Sequence, residues 1–517
     1  MARLRIKRDE LDSWAIHKRA YDARNKAAII LIYILDVSLS PAREAALLKK
    51  FSKDPHLKPS PDMRYHFVAS ASDFPAHTMR PVVIGFGPCG MFAALVLAQM
   101  GLKPIIVERG KVVRERTQDT WGLWRRRELT PESNVQFGEG GAGTFSDGKL
   151  WSQVKDPKHY GRKVLEEFIF AGAPEEIRFV SKPHIGTFRL VKMVEHMRAT
   201  ITALGGEFRF GTRVTDIDLH DGAVRGLGFA DGTSLACNRV VLAIGHSARD
   251  TFAMLHARGV FIEAKPFSIG FRIEHPQSVI DRARFGDFAG NDILGAADYK
   301  LVHHAKNGRS VYSFCMCPGG TVVAATSEPG RVVTNGMSQY SRNERNANAG
   351  FVVGIDPKDY PDHANNVLAG VDFQRALESR AYELGGHNYN APAQLVGDFL
   401  AARASTALGS VLPSYRPGVT LTDLAQALPD YAITAMREAL PIFGKQIKGY
   451  DMHDALLTGV ETRTSSPIRL TRDHQTLQSL NVKGLFPAGE GAGYAGGIMS
   501  AGIDGISVAE ALAKSLL

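Results

Sequence analysis

Short, wholly apolar runs alternate along the chain with amphipathic and glycine-rich stretches. Residues 81–84 and 104–107 contain only proline, valine and isoleucine, which is typical of strands buried on both faces of a parallel sheet. Between these two runs, Ala94 and Ala98 lie on one side of a stretch with helical spacing. The pattern predicts a strand–helix–strand unit that begins at Arg80.

The first 76 residues follow a different pattern. Residues 9–25 place apolar side chains at helical spacing, and residues 27–35 form an apolar run rich in isoleucine. The pattern predicts a helix followed by a buried strand. Pro41 then opens a second helix at its first turn. We therefore predict a small N-terminal α+β domain over residues 1–76.

The predicted strand–helix–strand unit carries the spacing G-x-G-x-x-G where its first strand turns into its helix. Gly85 permits the tight turn, Gly87 lets the backbone approach a pyrophosphate, and Gly90 lets the helix pack close to the strand. The second strand ends in Glu108, whose carboxylate can accept both ribose hydroxyls and would repel a 2′-phosphate. The full order predicts a dinucleotide site and argues against NADP in it.

Composition excludes several classes of protein. The net charge of +9 permits an anionic partner, but the chain contains no recognisable nucleic-acid-binding module, so nucleic acid is not favoured. Four cysteines in 517 residues are too few for a secreted disulfide framework. The N-terminus lacks the apolar core of a signal peptide, and the apolar run after it is too short to span a bilayer. We expect a cytoplasmic protein without a membrane span.

Later segments favour FAD over NAD. Residues 206–232 predict a β-meander, and residues 239–245 predict a buried strand ending in Ala-Ile-Gly. This order resembles the glutathione-reductase-type FAD superfamily. Residues 484–493 resemble the second flavin motif of that superfamily, with Glu490 in place of the usual aspartate at the ribityl chain. The resemblance implies that the N-terminus of the last helix, after residues 496–497, faces the flavin and stabilises negative charge on it.

The residues expected to contact the cofactor come from both ends of the chain. They are Gly85, Gly87, Gly90, Glu108, Arg109, Gly141, Gly143, Val214, Gly245, Gly489, Glu490, Gly497 and Ile498.

A closer resemblance covers most of the chain. The glycine-rich stretch at residues 133–150 is similar to the signature of an uncharacterised bacterial family of FAD-dependent dehydrogenases. Further segments match the same family: residues 21–24, 184–187, 270–276, 299–301, 312–320 and 335–338. The resemblance implies a flavoenzyme but supplies no substrate.

These patterns together predict an α/β fold. A Rossmann-like FAD-binding domain, with a parallel sheet and a β-meander, is expected to be discontinuous and to comprise residues 80–254 and 466–517. An α+β substrate domain is expected between them, over residues 255–465.

Three residues are candidates for catalysis: His184, Arg272 and Cys317. A histidine can donate or accept a proton near neutral pH, and an arginine can bind a carboxylate in bidentate fashion. Each has a structural alternative, namely a hydrogen-bonded histidine, a pair between Arg272 and Glu274, and a buried thiol. Cys315 and Cys317 are expected to lie on the same face of a strand. A redox role for them requires that this face is directed toward the flavin. Two thiols cannot close a zinc site, and no metal is expected.

The expected function is that of an FAD-dependent dehydrogenase or reductase. Hydride would pass between flavin N5 and a small-molecule substrate or a transiently bound NAD(P)H. No second G-x-G-x-x-G follows a strand, so a dedicated NAD(P)H domain is not expected. A flavin oxidase or monooxygenase is the alternative within enzymes. An RNA-associated flavoprotein, with the basic charge and residues 1–76 contacting RNA, is the alternative outside them.

Overall fold

Two sheets of different kinds organise the chain. The structure, a computed structural model, describes residue 1 and residues 3–517. A five-stranded parallel sheet and a seven-stranded mixed sheet lie on either side of a large cavity. The protein therefore has a mixed α/β fold.

The N-terminal segment is a two-stranded antiparallel ribbon followed by a helix. Its elements are β1 (Ser13–Asp22), β2 (Ile30–Ser38) and α1 (Pro41–Lys50). The helix at Pro41 is present, but the helix expected over residues 9–25 is wrong. These residues instead pair with β2, from Ser13 opposite Ser38 to Asp22 opposite Ile30. The tertiary pairing overrides the helical spacing of the apolar residues.

The prediction of a strand over residues 27–35 is confirmed in part by β2, but the prediction that this strand is buried is wrong. The side chains of residues 30–35 are between 36% and 61% exposed. Among the described strands β2 pairs with β1 alone, and a two-stranded ribbon leaves both of its faces open. The ribbon is joined to the rest of the chain through Arg19, whose backbone N–H donates to the Phe179 carbonyl at 2.7 Å.

The next part of the chain carries most of the parallel sheet. Its helices and strands are β3 (Val82–Ile84), α2 (Pro88–Gln99), β4 (Ile105–Val107), α3 (Val113–Arg126), α4 (Tyr160–Phe170), α5 (Thr187–Ala203), β5 (Glu207–Arg209), β6 (Val214–His220), β7 (Ala223–Phe229), β8 (Ser234–Ala236), β9 (Val240–Leu242) and α6 (Arg249–Ala257).

The remaining part carries the mixed sheet and the C-terminal strand and helix. Its helices and strands are β10 (Ile262–Ala264), β11 (Phe267–Pro276), α7 (Gln277–Phe285), β12 (Val302–His304), β13 (Ser310–Cys317), β14 (Gly320–Ala324), β15 (Thr334–Ser338), β16 (Asn346–Ile355), α8 (Ala369–Leu384), β17 (Ala391–Leu395), α9 (Val396–Leu400), β18 (Val419–Leu421), α10 (Asp430–Gln446), β19 (Leu456–Glu461), β20 (Ile468–Leu470), β21 (Leu485–Pro487) and α11 (Ile498–Lys514).

The parallel sheet has the strand order β21-β9-β3-β4-β5. The strand–helix–strand unit expected from Arg80 onward is present as β3, α2 and β4. Strand β21 comes from the end of the chain and pairs in parallel with β9, with Phe486 opposite Val241. Strands β6, β7 and β8 form a separate antiparallel meander. All five parallel strands end at one edge, which is where ligands of such sheets bind.

The mixed sheet has the strand order β12-β13-β16-β11-β19-β17-β18. Its longest pairing joins β11 and β16 over ten residues, from Phe267 opposite Ile355 to Pro276 opposite Asn346. A continuous apolar core includes residues of these strands and of helices α8 and α10. The other face of the sheet places β13 and the end of β19 against the cavity.

Within the described part of the chain, no helix has both the length and the hydropathy that crossing a bilayer would need.

Candidate cofactor and active site

The turn between β3 and α2 requires glycine for two separate steric reasons. Gly85 has a φ of +93°, and a Cβ there would lie 2.4 Å from the carbonyl oxygen of Ala243. A Cβ on Gly90 would lie 1.9 Å from the carbonyl oxygen of Gly85. Gly90 therefore lies beneath the turn, where it allows α2 to pack on β3.

A second glycine-rich loop lies directly on this turn. The Gly140 amide donates to the Phe86 carbonyl at 2.8 Å. Gly141 has a φ of +62°, and a Cβ on it would lie 2.7 Å from the Cα of Gly87. A Cβ on Gly87, by contrast, would meet Gly141 only at an ordinary 3.5 Å. The two loops together form a cradle of bare backbone that a side chain at Gly141 would fill.

Glu108 lies at the end of β4 with its carboxylate held by backbone amides. Phe86 donates to Oε2 at 2.9 Å, while Gly110 and Gly138 donate to Oε1 at 2.9 and 3.0 Å. The side chain is 6% exposed and lines the cavity. Its neighbour Arg109 pairs with Glu132 at 2.8 Å and with Asp250 at 2.9 Å. Both residues are thus fixed at one end of the cavity.

The cavity has a volume of about 700 Å³ and extends from this turn to the mixed sheet. Of the thirteen residues expected at the cofactor, twelve line it, and the thirteenth is Gly90 beneath the turn. The lining members are Gly85, Gly87, Glu108, Arg109, Gly141, Gly143, Val214, Gly245, Gly489, Glu490, Gly497 and Ile498. The fold brings together segments that lie up to about four hundred residues apart in the chain.

The C-terminal glycine segment forms the middle of the cavity wall. Gly489 has a φ of +70°, and its amide donates to Asp504 of α11 at 2.7 Å. Helix α11 begins at Ile498 with its first turn on the cavity. The lining residue Glu490 has its pKa raised to about 8 by burial, against the opposing charge of Lys265. Glycines on both walls and the carboxylate of Glu108 form a donor and acceptor set that fits a dinucleotide such as FAD.

His184 lies behind the lining of the cavity. Its ring stacks on Tyr340 with 5.3 Å between centroids, and its Nε2 lies 3.0 Å from the Tyr340 carbonyl oxygen. Burial lowers the pKa of His184, and the positive charge of Arg342 lowers it further. This environment keeps the imidazole neutral, and the proposed role in catalysis stays a prediction.

Arg272 and Cys317 also lie behind the lining, with Cys315 between them and the cavity. Arg272 is fully buried, and its Nη2 lies 3.1 Å from the Cys315 carbonyl oxygen and 3.7 Å from Cys317 Sγ. Its charged partner is Glu461, at 3.6 Å, rather than Glu274. Glu274 instead accepts hydrogen bonds from Asn346 and Ser414. The structural alternative for Arg272, a pair with Glu274, is therefore not formed.

Sequence reasoning missed Glu461, which lines the cavity at the end of β19 and is 3% exposed. Burial raises its pKa to about 7, and the nearby charge of Arg272 opposes that shift. The sequence pattern that could have indicated this site is the pair of charged residues Glu461 and Arg463, which follow the mostly apolar run 455–460. Charged residues at the end of a buried strand are unusual unless they are paired or functional.

Arg463 belongs to a buried ionic network that spans the cavity wall. Glu378 of α8 pairs with Arg249 at 2.6 Å and with Arg463 at 2.9 Å. Arg463 also donates to Ser247 at 3.0 Å. Arg249 and Ser247 follow β9 of the parallel sheet, whereas Glu378 and Arg463 belong to the mixed-sheet side. The network therefore ties the two sides of the cavity together.

Comparisons with known proteins support an FAD-dependent protein. A family model described as "FAD-dependent protein, C-terminal domain-like" matches residues 266–464. An uncharacterised protein of Clostridium beijerinckii is 47% identical over 513 residues, which cover 98% of this chain and 93% of that protein. The chain belongs to the same family as that protein, and the family model that matches its residues 266–464 is one of FAD-dependent proteins.

Solved structures resemble the chain only distantly. Amadoriase I, a fructosyl amine:oxygen oxidoreductase of Aspergillus fumigatus, is 12% identical, with a TM-score of 0.37 over 86% of this chain and 88% of that one. The L-amino acid deaminase of Proteus myxofaciens is 10% identical, with a TM-score of 0.35 over 87% of this chain and 93% of that one. A likeness of this size carries no argument about substrate or reaction.

Replacing Glu378 with glutamine should destabilise the protein strongly, because it leaves the buried guanidinium of Arg463 without a counter-charge and that of Arg249 with Glu328 as its one carboxylate partner. Breaking a buried ion pair from one side costs about 3–5 kcal/mol, so the thermal unfolding midpoint should fall by several degrees. Glu383→Gln is the matched control on the same helix, since its partner Arg380 is largely exposed. Equal midpoints for the two variants would contradict the structural role of the network.

The thiol of Cys315 should react with alkylating agents at unusually low pH. The neighbouring Cys317 side chain, and then the charges of Lys149 and Arg272, lower its pKa to about 5 against the effect of burial. The thiol is protonated below that pH and is a thiolate above it. The alkylation rate at Cys315 should therefore rise through pH 5 and level off by about pH 7, whereas an ordinary thiol with a pKa of about 8.5 keeps gaining reactivity.

The control for this profile is Lys149→Met, which should move the midpoint upward. A wild-type rate that begins to rise only above about pH 8 would show that Cys315 is an ordinary thiol.

Proposed function

We propose that FAD binds along the whole cavity, with its adenosine ribose at Glu108. The pyrophosphate would lie on the bare backbone at Gly87 and Gly141, and the flavin ring would face Gly497 and the first turn of α11. The observation that carries this proposal is the convergence of twelve separately expected residues on one cavity. The assignment to the glutathione-reductase-type superfamily rests on the sequence resemblance and stays a prediction.

The backbone at the proposed pyrophosphate position explains why two loops approach each other so closely. Gly87 caps the N-terminus of α2 without a capping side chain, so the free amides of the first helical turn are available to phosphate oxygens. Arg109 cannot compete for that position, because Glu132 and Asp250 hold it at the edge of the cavity. The binding energy for the phosphates would thus come from backbone groups and the helix dipole.

When bound, FAD would supply two-electron redox chemistry. The residues of the chain itself would bind and orient the reactants and carry protons. Glu461 is suited to hold a proton near neutral pH, because burial raises its pKa to about 7. Its Oε2 atom has no hydrogen-bond partner among the residues the structure describes, so this atom can exchange a proton with a reactant in the cavity.

We infer a dehydrogenase or reductase that acts on a small molecule at the mixed-sheet end of the cavity. That end is lined by Cys315, Glu461 and Lys149, which together offer a thiol, a carboxyl and an ammonium group. NAD(P)H remains a candidate electron donor that would bind only transiently.

The reaction class can be tested by following the absorbance of the bound flavin under anaerobic conditions. Bleaching by NADH or NADPH would identify the donor, and bleaching by a compound from a metabolite panel would identify a substrate. The proposal expects bleaching by at least one reductant and slow reoxidation in air. Rapid reoxidation with formation of hydrogen peroxide would contradict a dehydrogenase and identify an oxidase.

The variant Gly87→Ala should lose FAD while keeping its fold. The new methyl group meets protein atoms only at an ordinary 3.5 Å, but it would occupy the space that a pyrophosphate needs. We expect the dissociation constant for FAD to rise at least about tenfold, or about 1.4 kcal/mol, with an unchanged unfolding midpoint of the cofactor-free protein.

Gly354→Ala is the matched control for this measurement. Its Cβ would have 3.8 Å to its nearest neighbour, in β16 and away from the lining of the cavity. Equal FAD affinity of the Gly87→Ala and Gly354→Ala variants would show that the pyrophosphate does not lie on this turn.

A further inference from the structure

Cys315 lies in a β-bulge that turns it toward the cavity. Strand β13 pairs regularly with β16 as far as Phe314 opposite Gly350, and the next pair is Cys317 opposite Asn348. Three steps along β13 therefore match two steps along β16, which leaves one extra residue in the bulge. Cys315 has a φ of +40°, a region that residues with side chains seldom adopt and that is often found at functional sites.

The bulge separates the surroundings of the two cysteines, contrary to the expectation that they share a strand face. Cys315 lines the cavity, whereas Cys317 is fully buried behind it. The two remain in contact, because Cys317 Sγ lies 3.3 Å from the Cys315 carbonyl oxygen. Both cysteines are free thiols in the structure.

Two positive charges surround this pair of sulfur atoms. Arg272 reaches the Cys315 carbonyl oxygen at 3.1 Å and Cys317 Sγ at 3.7 Å. Lys149 donates to the carbonyl of Met316, the residue between the cysteines. Cationic groups of this kind stabilise a thiolate, the reactive form of cysteine.

A proton acceptor lies on the other side of Arg272. Arg272 Nη1 and Glu461 Oε2 are buried, and neither has a hydrogen-bond partner in the described part of the chain. The Arg272–Glu461 distance of 3.6 Å places a carboxyl group and a guanidinium at the same end of the cavity as the thiols. Burying polar atoms without hydrogen-bond partners costs free energy of folding. A reactant bound at this end of the cavity would supply the partners that these two atoms lack.

We propose that Cys315 and Cys317 form a dithiol–disulfide couple that exchanges two electrons with FAD bound in the same cavity. The proposal rests on the FAD site proposed above. In the oxidising direction two S–H bonds break and one S–S bond forms between Cys315 and Cys317. The two electrons and two protons released reduce FAD, and the reverse transfer restores the thiols and oxidised FAD.

The position of the pair indicates which compounds exchange electrons with it. Cys315 faces the cavity and Cys317 lies behind it, so Cys315 is the sulfur that a small disulfide can reach. Its thiolate would attack one sulfur of that disulfide and release one thiol. The Cys317 thiol would then displace the second thiol and close the Cys315–Cys317 bond.

Anaerobic titration with dithionite measures the electrons that the couple takes up, once the purified holoprotein has been treated with oxidised glutathione and freed of the reagent. We expect the wild type to take up two electron pairs for each FAD, one by the flavin and one by the disulfide. Cys315→Ser and Cys317→Ser should each take up one. Cys237→Ser is the control, because Cys237 is buried in a separate core cluster, and it should behave as the wild type does.

A second readout is independent of the flavin. Both cysteines lie in one tryptic peptide, residues 310–331. After treatment with a small disulfide such as oxidised glutathione, this peptide should be two hydrogens lighter and should accept no alkyl group until it is reduced. A wild-type titration with one electron pair per FAD, or a peptide that still accepts two alkyl groups after oxidation, would overturn the proposal.

The two readouts separate failure of the couple from failure of the FAD site. If the protein binds no FAD, the proposed electron transfer is overturned whatever the cysteines do. An internal disulfide in the peptide would then assign the failure to the FAD site, and an unmodified peptide would show that both proposals are wrong.

Discussion

The cavity depends on one buried carboxylate, that of Glu378. It pairs with Arg249 at 2.6 Å and Arg463 at 2.9 Å, and all three side chains are buried. Burial alone would raise the pKa of Glu378, but the two arginines hold it well below its usual range. Because Arg249 follows a parallel strand and Arg463 follows a mixed-sheet strand, the carboxylate fixes the distance between the two walls.

Within those walls, the two ends of the cavity are built by different means. At the end of Gly85 and Gly87, bare backbone forms part of the surface, and three amides hold the carboxylate of Glu108 in place. At the mixed-sheet end, the surface carries reactive side chains in Cys315 and Glu461. This division matches a protein in which one end holds a cofactor and the other holds a reactant.

Local patterns could be predicted from the sequence, and contacts between distant segments could not. The turn at Gly85 to Gly90 was predictable because the strand, the glycines and the helix are consecutive in the sequence. At Gly85 a side chain would collide with the carbonyl oxygen of Ala243, which explains why this position is glycine. The exposed strand β2 was mispredicted because its burial depends on how many strands pair beside it. Glu378 and Arg249 are 129 residues apart, so no local pattern shows their pairing. The bulge at Cys315 likewise depends on the register with β16.

The most direct test of the account is an experimental structure of the protein with FAD. The account predicts one FAD in the cavity, with its adenosine ribose at Glu108, its pyrophosphate over Gly87 and Gly141, and its flavin ring between Gly497 and Cys315. FAD bound at another place, or a cavity without FAD in protein saturated with it, would contradict the account.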